Sequence, residues 1–180
     1  EQTVVFAEED TLQIRFVAAD GAETVLKDHM TVLKGEVVDS TFMSAKALDA
    51  FLAEKLAQAK ADDVLYSVHL KATMMKVSDP VLFGHVVRAF FKDVFDKHGA
   101  ALDEAGLTAN NGLASILAGL DELPGGQAIA AEIAADIARG PRLSYVNSDK
   151  GITNLHVPSD VIVDASMPAL IRNGGKLWGV

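Results

Sequence analysis

The stretch VLYSVHLKATMMKVSDP, from Val64 to Pro80, combines an apolar run of β-forming residues, two lysines and a helix-start signal. The apolar run predicts a buried strand, and the Ser-Asp-Pro ending predicts the beginning of a helix. The strand would therefore carry Lys71 at its end. In sheet proteins a strand end holds a side chain rigidly beside an open crevice, where it can face a ligand. The alternative is that Lys71 only marks the point where the strand leaves the core for solvent.

The composition of the chain narrows the class of protein. Its 180 residues are 49% hydrophobic, which is enough to bury a core. One domain is the default expectation, with two small subdomains as the alternative. The net charge of −9 argues against nucleic acid or an anionic membrane as the main partner. The absence of cysteine excludes disulfides and thiolate metal ligands. Because the sequence also lacks a signal peptide and an apolar run of about 20 residues, we expect a cytoplasmic location.

The N-terminal third is predicted to form hairpins followed by a helix. The alternation from Leu12 to Val17, an Asp-Gly turn and the returning ETVLK predict a β-hairpin. MTVLK (30–34) and GEVVDS (35–40) are predicted as two further short strands. From Met43 to Ala61, apolar residues at three-and-four spacing predict an amphipathic helix packed on the sheet, with Ser44 as its cap.

The middle of the chain is predicted to be helical. An apolar stripe from Leu82 to Phe95 predicts one long helix that ends at Gly99. His85 and His98 lie on this helix and are interpreted as partly exposed or hydrogen-bonded rings rather than metal ligands. Asn-Asn-Gly and Pro-Gly-Gly turns divide the alanine-rich sequence Leu102–Arg139 into short helices, which we interpret as an accessory layer.

The last forty residues are predicted to return to β-structure. Leu143–Val146 is a predicted strand, and Val161–Val163 is a second one that ends at Asp164, with a short helix after it. The whole chain is therefore predicted to have an α/β fold, with a mixed sheet and packed helices. Its predicted segments are hairpins and a helix (1–63), a central strand and helix (64–100), accessory helices (101–140), and final strands and a helix (141–180).

Two strand ends carry the candidate site residues. A lysine and an aspartate there could bind an anionic small molecule together with a hard divalent cation. Mg²⁺ or Mn²⁺ prefers carboxylate and water oxygens and usually takes one or two protein carboxylates, so Asp164 alone is an incomplete metal site. Asp160 is interpreted as a cap or turn residue, and Asn147 and Asp149 as turn residues with local hydrogen bonds. Lys71 could act as a base if burial lowers its pKa.

Other candidate features are weaker. Lys76 is interpreted as a structural or surface charge. The Gly-Gly pairs do not have the spacing of a nucleotide-binding loop, and no His, Cys, Asp or Glu cluster has zinc-site spacing.

Three motifs carry a family resemblance: HLKATMMKVSDP (His69–Pro80), NNG (Asn110–Gly112) and VNSDKGITNLHVPSDVIVDASMPA (Val146–Ala169). Together with VAADG and TVLK near the start, they resemble the monomeric type of NADP-dependent isocitrate dehydrogenase across essentially the whole chain. The resemblance implies that the sequence is an internal piece of a much larger enzyme, taken from its central α/β domain.

The resemblance also implies roles for two residues. Lys71 corresponds to the catalytic lysine close to the substrate hydroxyl, and Asp164 to one of the Mg²⁺ or Mn²⁺ ligands. The implied reaction is the metal-assisted oxidative decarboxylation of isocitrate to 2-oxoglutarate with NADP. The family's substrate clamp precedes this segment, and its catalytic tyrosine, other metal ligands and NADP contacts follow it. No cofactor-binding residue is therefore assigned, and the chain alone is expected to be inactive.

A second hypothesis belongs to a different class of function. The segment could be a non-catalytic module that binds a carboxylate ligand or serves as an assembly surface. The resemblance implies that the parent enzyme is a monomer. If the chain presents an apolar face, self-association through that face is the expected consequence.

Overall fold

A computed structural model describes residues 2–68 and 78–158 of the chain. The predicted site residues Lys71 and Asp164 lie outside these ranges, as do Lys76, Asp160 and the predicted strand 161–163.

The described residues form strands and helices that alternate in blocks along the chain. In order they are β1 (Gln2–Val5), β2 (Asp10–Val17), β3 (Glu23–Val32), β4 (Val37–Ser40), α1 (Ala45–Ala61), α2 (Ser78–Phe90), α3 (Lys92–Glu104), α4 (Leu113–Gly119), α5 (Gly126–Arg139), β5 (Tyr145–Asn147) and β6 (Ile152–Thr153). Single 3₁₀ turns lie at Ala109–Asn111, Leu120–Glu122 and Ser148–Lys150. The predicted α/β class is confirmed, with small antiparallel sheets beside packed helices.

The chain divides into two compact units, Glu1–Ser44 and Ala45–Val180. We call them the β unit and the helical unit. Helix α1, which the sequence pattern placed beside the hairpins, belongs to the helical unit, where it packs against α2. The described part of each unit is treated by itself below.

The β unit contains two antiparallel strand pairs, β1 with β4 and β2 with β3. The predicted hairpin is confirmed: the Asp20 carboxylate accepts a hydrogen bond from the Ala22 N–H at 3.0 Å, and Gly21 has φ of +86°. A turn with positive φ strongly favours glycine because glycine has no Cβ to clash. The predicted strand GEVVDS is confirmed as β4.

The prediction of a separate strand at MTVLK is wrong. Its first three residues are the end of β3, which runs without interruption from Glu23 to Val32. Register shifts between Leu12 and Arg15 on the opposite strand allow the hairpin to continue beyond its first pairs. Sequence alternation alone does not locate such an irregularity.

The helical unit begins with α1, whose predicted extent is confirmed. The single long helix predicted after it is wrong, because α2 ends at Phe90 and α3 begins at Lys92. Phe91 between them has φ of −103° and ψ of +39°, and its side chain is 1% exposed. The Phe91 N–H still donates to the Val87 carbonyl oxygen, so the chain bends without losing this helical hydrogen bond. Gly99, predicted to end the helix, lies inside α3.

The core of the helical unit is built from all of its described helices and from the segments near Leu143 and Leu155. The predicted apolar stripe of α2 and α3 contributes its central side chains to it. The most deeply buried large side chains are Phe83, Phe91, Leu102, Leu113, Ile116, Leu155, Val87 and Val94. The predicted division of residues 102–139 into short helices is confirmed.

Two short β-segments differ from expectation. Residues 64–68, predicted to be a buried strand, make one isolated parallel bridge between Tyr66 and Leu143, and Val64 is 49% exposed. With a backbone partner on one side only, this segment is not a central strand in the described region. Strand β6, which pairs with β5, was not predicted because Ile-Thr is too short to show a period.

Candidate functional site

The predicted site residues Lys71 and Asp164 lie outside the described residues, but the chain on the near side of each is described. Residues 64–68, the lysine approach, end three positions before Lys71. Residues Thr153–His156, the aspartate turn, end eight positions before Asp164. The contacts of these two segments show how firmly the described fold holds them.

The lysine approach is anchored to the segment that precedes β5. Tyr66 donates its backbone N–H to the carbonyl oxygen of Arg142 at 2.7 Å. The Arg142 guanidinium reaches back to the carbonyl oxygen of Asp63 at 2.5 Å and to its carboxylate at 3.2 Å. The Tyr66 ring lies 6.5 Å from the Phe90 ring, and burial raises the pKa of its hydroxyl. The phenol therefore remains neutral at physiological pH and serves as a packing group.

The aspartate turn is closed by its own side chains. The Nδ1 atom of His156 accepts the backbone N–H of Thr153 at 2.8 Å, and Thr153 Oγ1 accepts the N–H of Leu155 at 3.2 Å. Thr153 is 3% exposed. Because Nδ1 is an acceptor, the proton of the neutral ring lies on Nε2. Burial lowers the pKa of His156, which favours this neutral form.

The aspartate turn also provides hydrogen-bond acceptors for the first backbone N–H groups of α4. The carbonyl oxygens of Leu155 and His156 accept the N–H groups of Leu113 and Ala114, each at 2.9 Å. These are N–H groups that a helix cannot pair internally. The approach is close enough to require Gly112: an added Cβ would overlap the His156 carbonyl oxygen and lie 2.6 Å from its carbon. Gly112 also has φ of +84°, which disfavours any side chain.

A second close approach connects the NNG turn (Asn110–Gly112) to α2. A Cβ at Gly84 would overlap the side-chain oxygen of Asn110 and lie 2.9 Å from its Cγ. Helix α2 begins at Ser78, seven positions after Lys71. The NNG turn therefore packs against α2 on one side and against the aspartate turn on the other. Sequence reasoning found NNG as a motif but did not predict this packing.

Asn154 links the two approach segments directly. Its backbone N–H donates to the Ser144 carbonyl oxygen at 2.9 Å, and its side-chain Nδ2 donates to the Tyr66 carbonyl oxygen at 3.4 Å. Its Oδ1 atom is buried and has no hydrogen-bond partner among the described residues. The sequence offered little signal for this residue, because an asparagine near a turn is common for local reasons.

Three other predicted polar residues, His85, His98 and Asn147, have the local roles expected of them. His85 contacts Asp49 at 2.7 Å between α2 and α1, and His98 contacts Glu132 at 3.4 Å between α3 and α5. Asn147 Oδ1 accepts the backbone N–H of Lys150 at 3.2 Å. The interpretation of both histidines as hydrogen-bonded rings, and of Asn147 as a turn residue, is confirmed.

Within residues 2–68 and 78–158, no three His, Asp or Glu side chains are grouped so that they could hold a metal ion. Mg²⁺ needs several hard oxygen ligands in near-octahedral geometry. In the same part of the chain, no helix is long and apolar enough to cross a membrane.

Comparison with known proteins gives a consistent result. A family model described as monomeric isocitrate dehydrogenase matches residues 1–180. A protein of Corynebacterium efficiens named isocitrate dehydrogenase [NADP] is 60% identical over 178 residues, and one of the same name from Corynebacterium glutamicum is 58% identical over 178. A third, from Azotobacter vinelandii, is 51% identical over 183 residues. Each match covers 99% of this chain and 24% of the relative, so the chain spans about a quarter of their length.

Proposed function

The chain belongs to the monomeric isocitrate dehydrogenase family, and we propose that the protein that contains it oxidises and decarboxylates isocitrate to 2-oxoglutarate with NADP and a divalent metal ion. The observation that carries this proposal is the family match over all 180 residues, together with relatives of 60% and 58% identity whose names state the activity. A monomeric enzyme in the cytoplasm, acting in the tricarboxylic acid cycle and the glyoxylate bypass, is part of the same proposal.

Within this reaction, Lys71 is the proposed base. Oxidation of a secondary alcohol removes the hydroxyl proton as the hydride leaves for the nicotinamide, so a basic group must face that oxygen. A lysine can do this only if desolvation lowers the pKa of its ammonium. On taking the hydroxyl proton, the neutral amine would become a positively charged ammonium group beside the new keto oxygen.

Asp164 is the proposed metal ligand of this chain. A bound Mg²⁺ or Mn²⁺ would polarise the substrate oxygens and stabilise negative charge during decarboxylation. One carboxylate is too few for a complete site. The remaining ligands and the NADP-binding residues are proposed to come from other parts of the enzyme.

Turnover measurements on the full-length protein test the two roles. Lys71→Met should lower kcat by about 10²-fold or more, the range expected for loss of a general base, without lowering the melting temperature. Lys76→Met is the matched control and should leave kcat within about twofold, because Lys76 has no proposed catalytic role. Near-normal turnover of Lys71→Met would remove Lys71 from the mechanism.

Metal titration tests Asp164 separately. Asp164→Asn should raise the Mn²⁺ concentration needed for half-maximal activity by about tenfold or more, since a carboxylate ligand becomes a neutral amide. Unchanged metal dependence would contradict the assignment.

The 180-residue chain tests whether this segment is self-sufficient. We expect isothermal titration with isocitrate and Mg²⁺ to give weak or no binding, and no NADP reduction. Tight binding by the chain alone would favour the alternative of an independent carboxylate-binding module.

A further inference from the structure

We propose that Asn111 is a deamidation site that the fold keeps nearly unreactive. The chemistry comes from the pair of neighbours Asn111 and Gly112, and the protection comes from the packing of the NNG turn. The inference concerns a chemical modification of the chain and is independent of the proposed roles of Lys71 and Asp164.

Deamidation of an asparagine needs only the neighbouring backbone and water. The Gly112 nitrogen loses its proton and attacks Cγ of Asn111; the new C–N bond closes a succinimide ring, and the side-chain nitrogen leaves as ammonia. Water then opens the ring at either carbonyl group, which gives aspartate or isoaspartate, and no oxidant or reductant takes part. A following glycine favours the attack, because it has no Cβ to hinder the approach and its backbone adopts many conformations.

The Asn111 side chain is accessible to the water and base that the reaction consumes. Asn111 is exposed, whereas Gly112 and Leu113 after it are buried. It is the last residue of the 3₁₀ turn Ala109–Asn111. Solvent access therefore does not limit the reaction, and protection has to come from the backbone.

A hydrogen bond holds the attacking nitrogen away from the side chain. The Gly112 N–H donates to the carbonyl oxygen of Ala109 at 3.0 Å, which closes the 3₁₀ turn. Closure of the succinimide ring requires a ψ angle at Asn111 outside the helical range. The rotation to that angle breaks the bond to Ala109, so the nitrogen cannot attack while the turn is intact.

The packing beyond Gly112 opposes the same rotation. The N–H groups of Leu113 and Ala114 donate to carbonyl oxygens of the aspartate turn at 2.9 Å each. A Cβ on Gly112 would overlap the His156 carbonyl oxygen, so the glycine backbone lies directly against that group. The reaction therefore requires local opening of the NNG turn, and its rate follows the fraction of molecules in which the turn is open.

The test is peptide mapping by mass spectrometry of the full-length protein after incubation at mildly alkaline pH, in buffer and in urea. The products at Asn111 are counted separately from those at Asn173, which also precedes a glycine. We expect Asn111 to react at least about tenfold more slowly in buffer than in urea. Equal rates would show that the fold gives no protection, and no reaction in urea would show that Asn111 is not a deamidation site. Either result overturns the proposal.

Thr108→Val tests whether the turn itself controls the rate. Thr108 Oγ1 accepts the Asn110 N–H at 3.3 Å at the start of the 3₁₀ turn, and valine keeps the shape without the acceptor. The folded variant should deamidate at Asn111 about threefold faster than the parent, a change of the size expected for loss of a cap.

Thr11→Val is the matched control, because it makes the same chemical change at an exposed strand position of the β unit. It should leave the rate at Asn111 unchanged. If Thr108→Val reacts at the parent rate, or if both variants react equally faster, the NNG turn does not protect Asn111 and the proposal fails. Melting curves show which variants are folded, and the comparison of buffer with urea uses the parent alone, so it decides the proposal even where a variant is unstable.

Discussion

The β unit and the helical unit bury apolar side chains to very different extents. Among residues 2–44, Val32 is the only hydrophobic residue that is fully buried, at 2% exposed. Large apolar side chains of the same unit are 45% to 85% exposed: Val4, Val5, Ile14, Phe16, Val17, Val25, Leu26, Leu33, Val37, Phe42 and Met43. The helical unit instead has a contiguous core drawn from α1 to α5 and from the segments near Leu143 and Leu155.

The difference shows where the stability of this chain resides. The β unit is held by backbone pairing and by exposed polar contacts such as Arg15 with Glu23 at 3.0 Å. Exposed ion pairs contribute about 0–1 kcal/mol, and isolated two-stranded hairpins are marginal in water. Burial of apolar surface therefore stabilises the helical unit, whereas the β unit leaves most of its large apolar side chains exposed.

The largest effect is expected from Phe83, which lies in α2 and is 1% exposed. Phe83→Ala removes a fully buried ring and should lower the free energy of unfolding by about 3–5 kcal/mol. Urea denaturation followed by the helical circular dichroism signal measures it. A loss below about 1 kcal/mol would show that the helical unit does not depend on this core.

The next effect concerns two glycines of the helical unit. Gly112→Ala should cost about 2–4 kcal/mol, because it combines positive φ with overlap of the His156 carbonyl group, which is backbone and cannot rotate away. Gly99→Ala is the matched control: a Cβ there meets nothing within 4 Å, and the residue lies inside α3. It should stabilise by about 0.5–1 kcal/mol. Equal effects in the same denaturation experiment would refute the role assigned to the close approach.

Most of the fold could be predicted from the sequence because its signals are local. The β2–β3 hairpin has an alternating pattern and an Asp-Gly turn, and α1 has a clear three-and-four period. The errors have non-local causes. The bend at Phe91 follows from packing that buries its ring, and the apolar pattern continues across it. Residues 64–68 have strand-forming composition, but their environment supplies a single bridge partner.

The candidate site also combines residues that the sequence predicts with residues that only the folded contacts identify. Lys71 and Asp164 were predicted from the family resemblance and remain predictions. Gly112 and Asn154 could not be assigned from pattern, since their roles depend on chain segments that meet in space: His156 against Gly112, and Tyr66 against Asn154. A glycine or an asparagine near a turn has many local explanations, so only the folded contacts distinguish these two.

A smaller loss of stability is expected when acid protonates His156 of the helical unit. Burial lowers the pKa of this ring in the folded state, whereas the unfolded ring titrates near 6.5. Above that pH both states are neutral and the aspartate turn is fully stabilised. As pH falls through about 6.5 toward the lower folded pKa, the unfolded chain binds the extra proton, so the free energy of unfolding decreases.

The size of this effect is limited because the ring is partly exposed, and solvent screening should keep it below about 1 kcal/mol. His156→Asn supplies an amide oxygen as acceptor for the Thr153 N–H and does not titrate. The difference in free energy of unfolding between neutral and mildly acidic pH should therefore be smaller for this variant than for the parent. The same pH dependence in both proteins would assign it to other groups.

The smallest effect is expected from Phe16→Thr in the β unit. Phe16 is 54% exposed and lies opposite Thr24 on β3. Because threonine is a good strand former, the free energy of unfolding of the monomer should change by about 0.5 kcal/mol or less. The measurement is urea denaturation at several protein concentrations, with hydrogen exchange of the β2 and β3 amides. A loss above about 1 kcal/mol that grows with protein concentration would mean that Phe16 is covered by a second copy of the chain. A comparable loss at every concentration would instead show that Phe16 is buried within one chain, and the contrast between the two units would then be wrong.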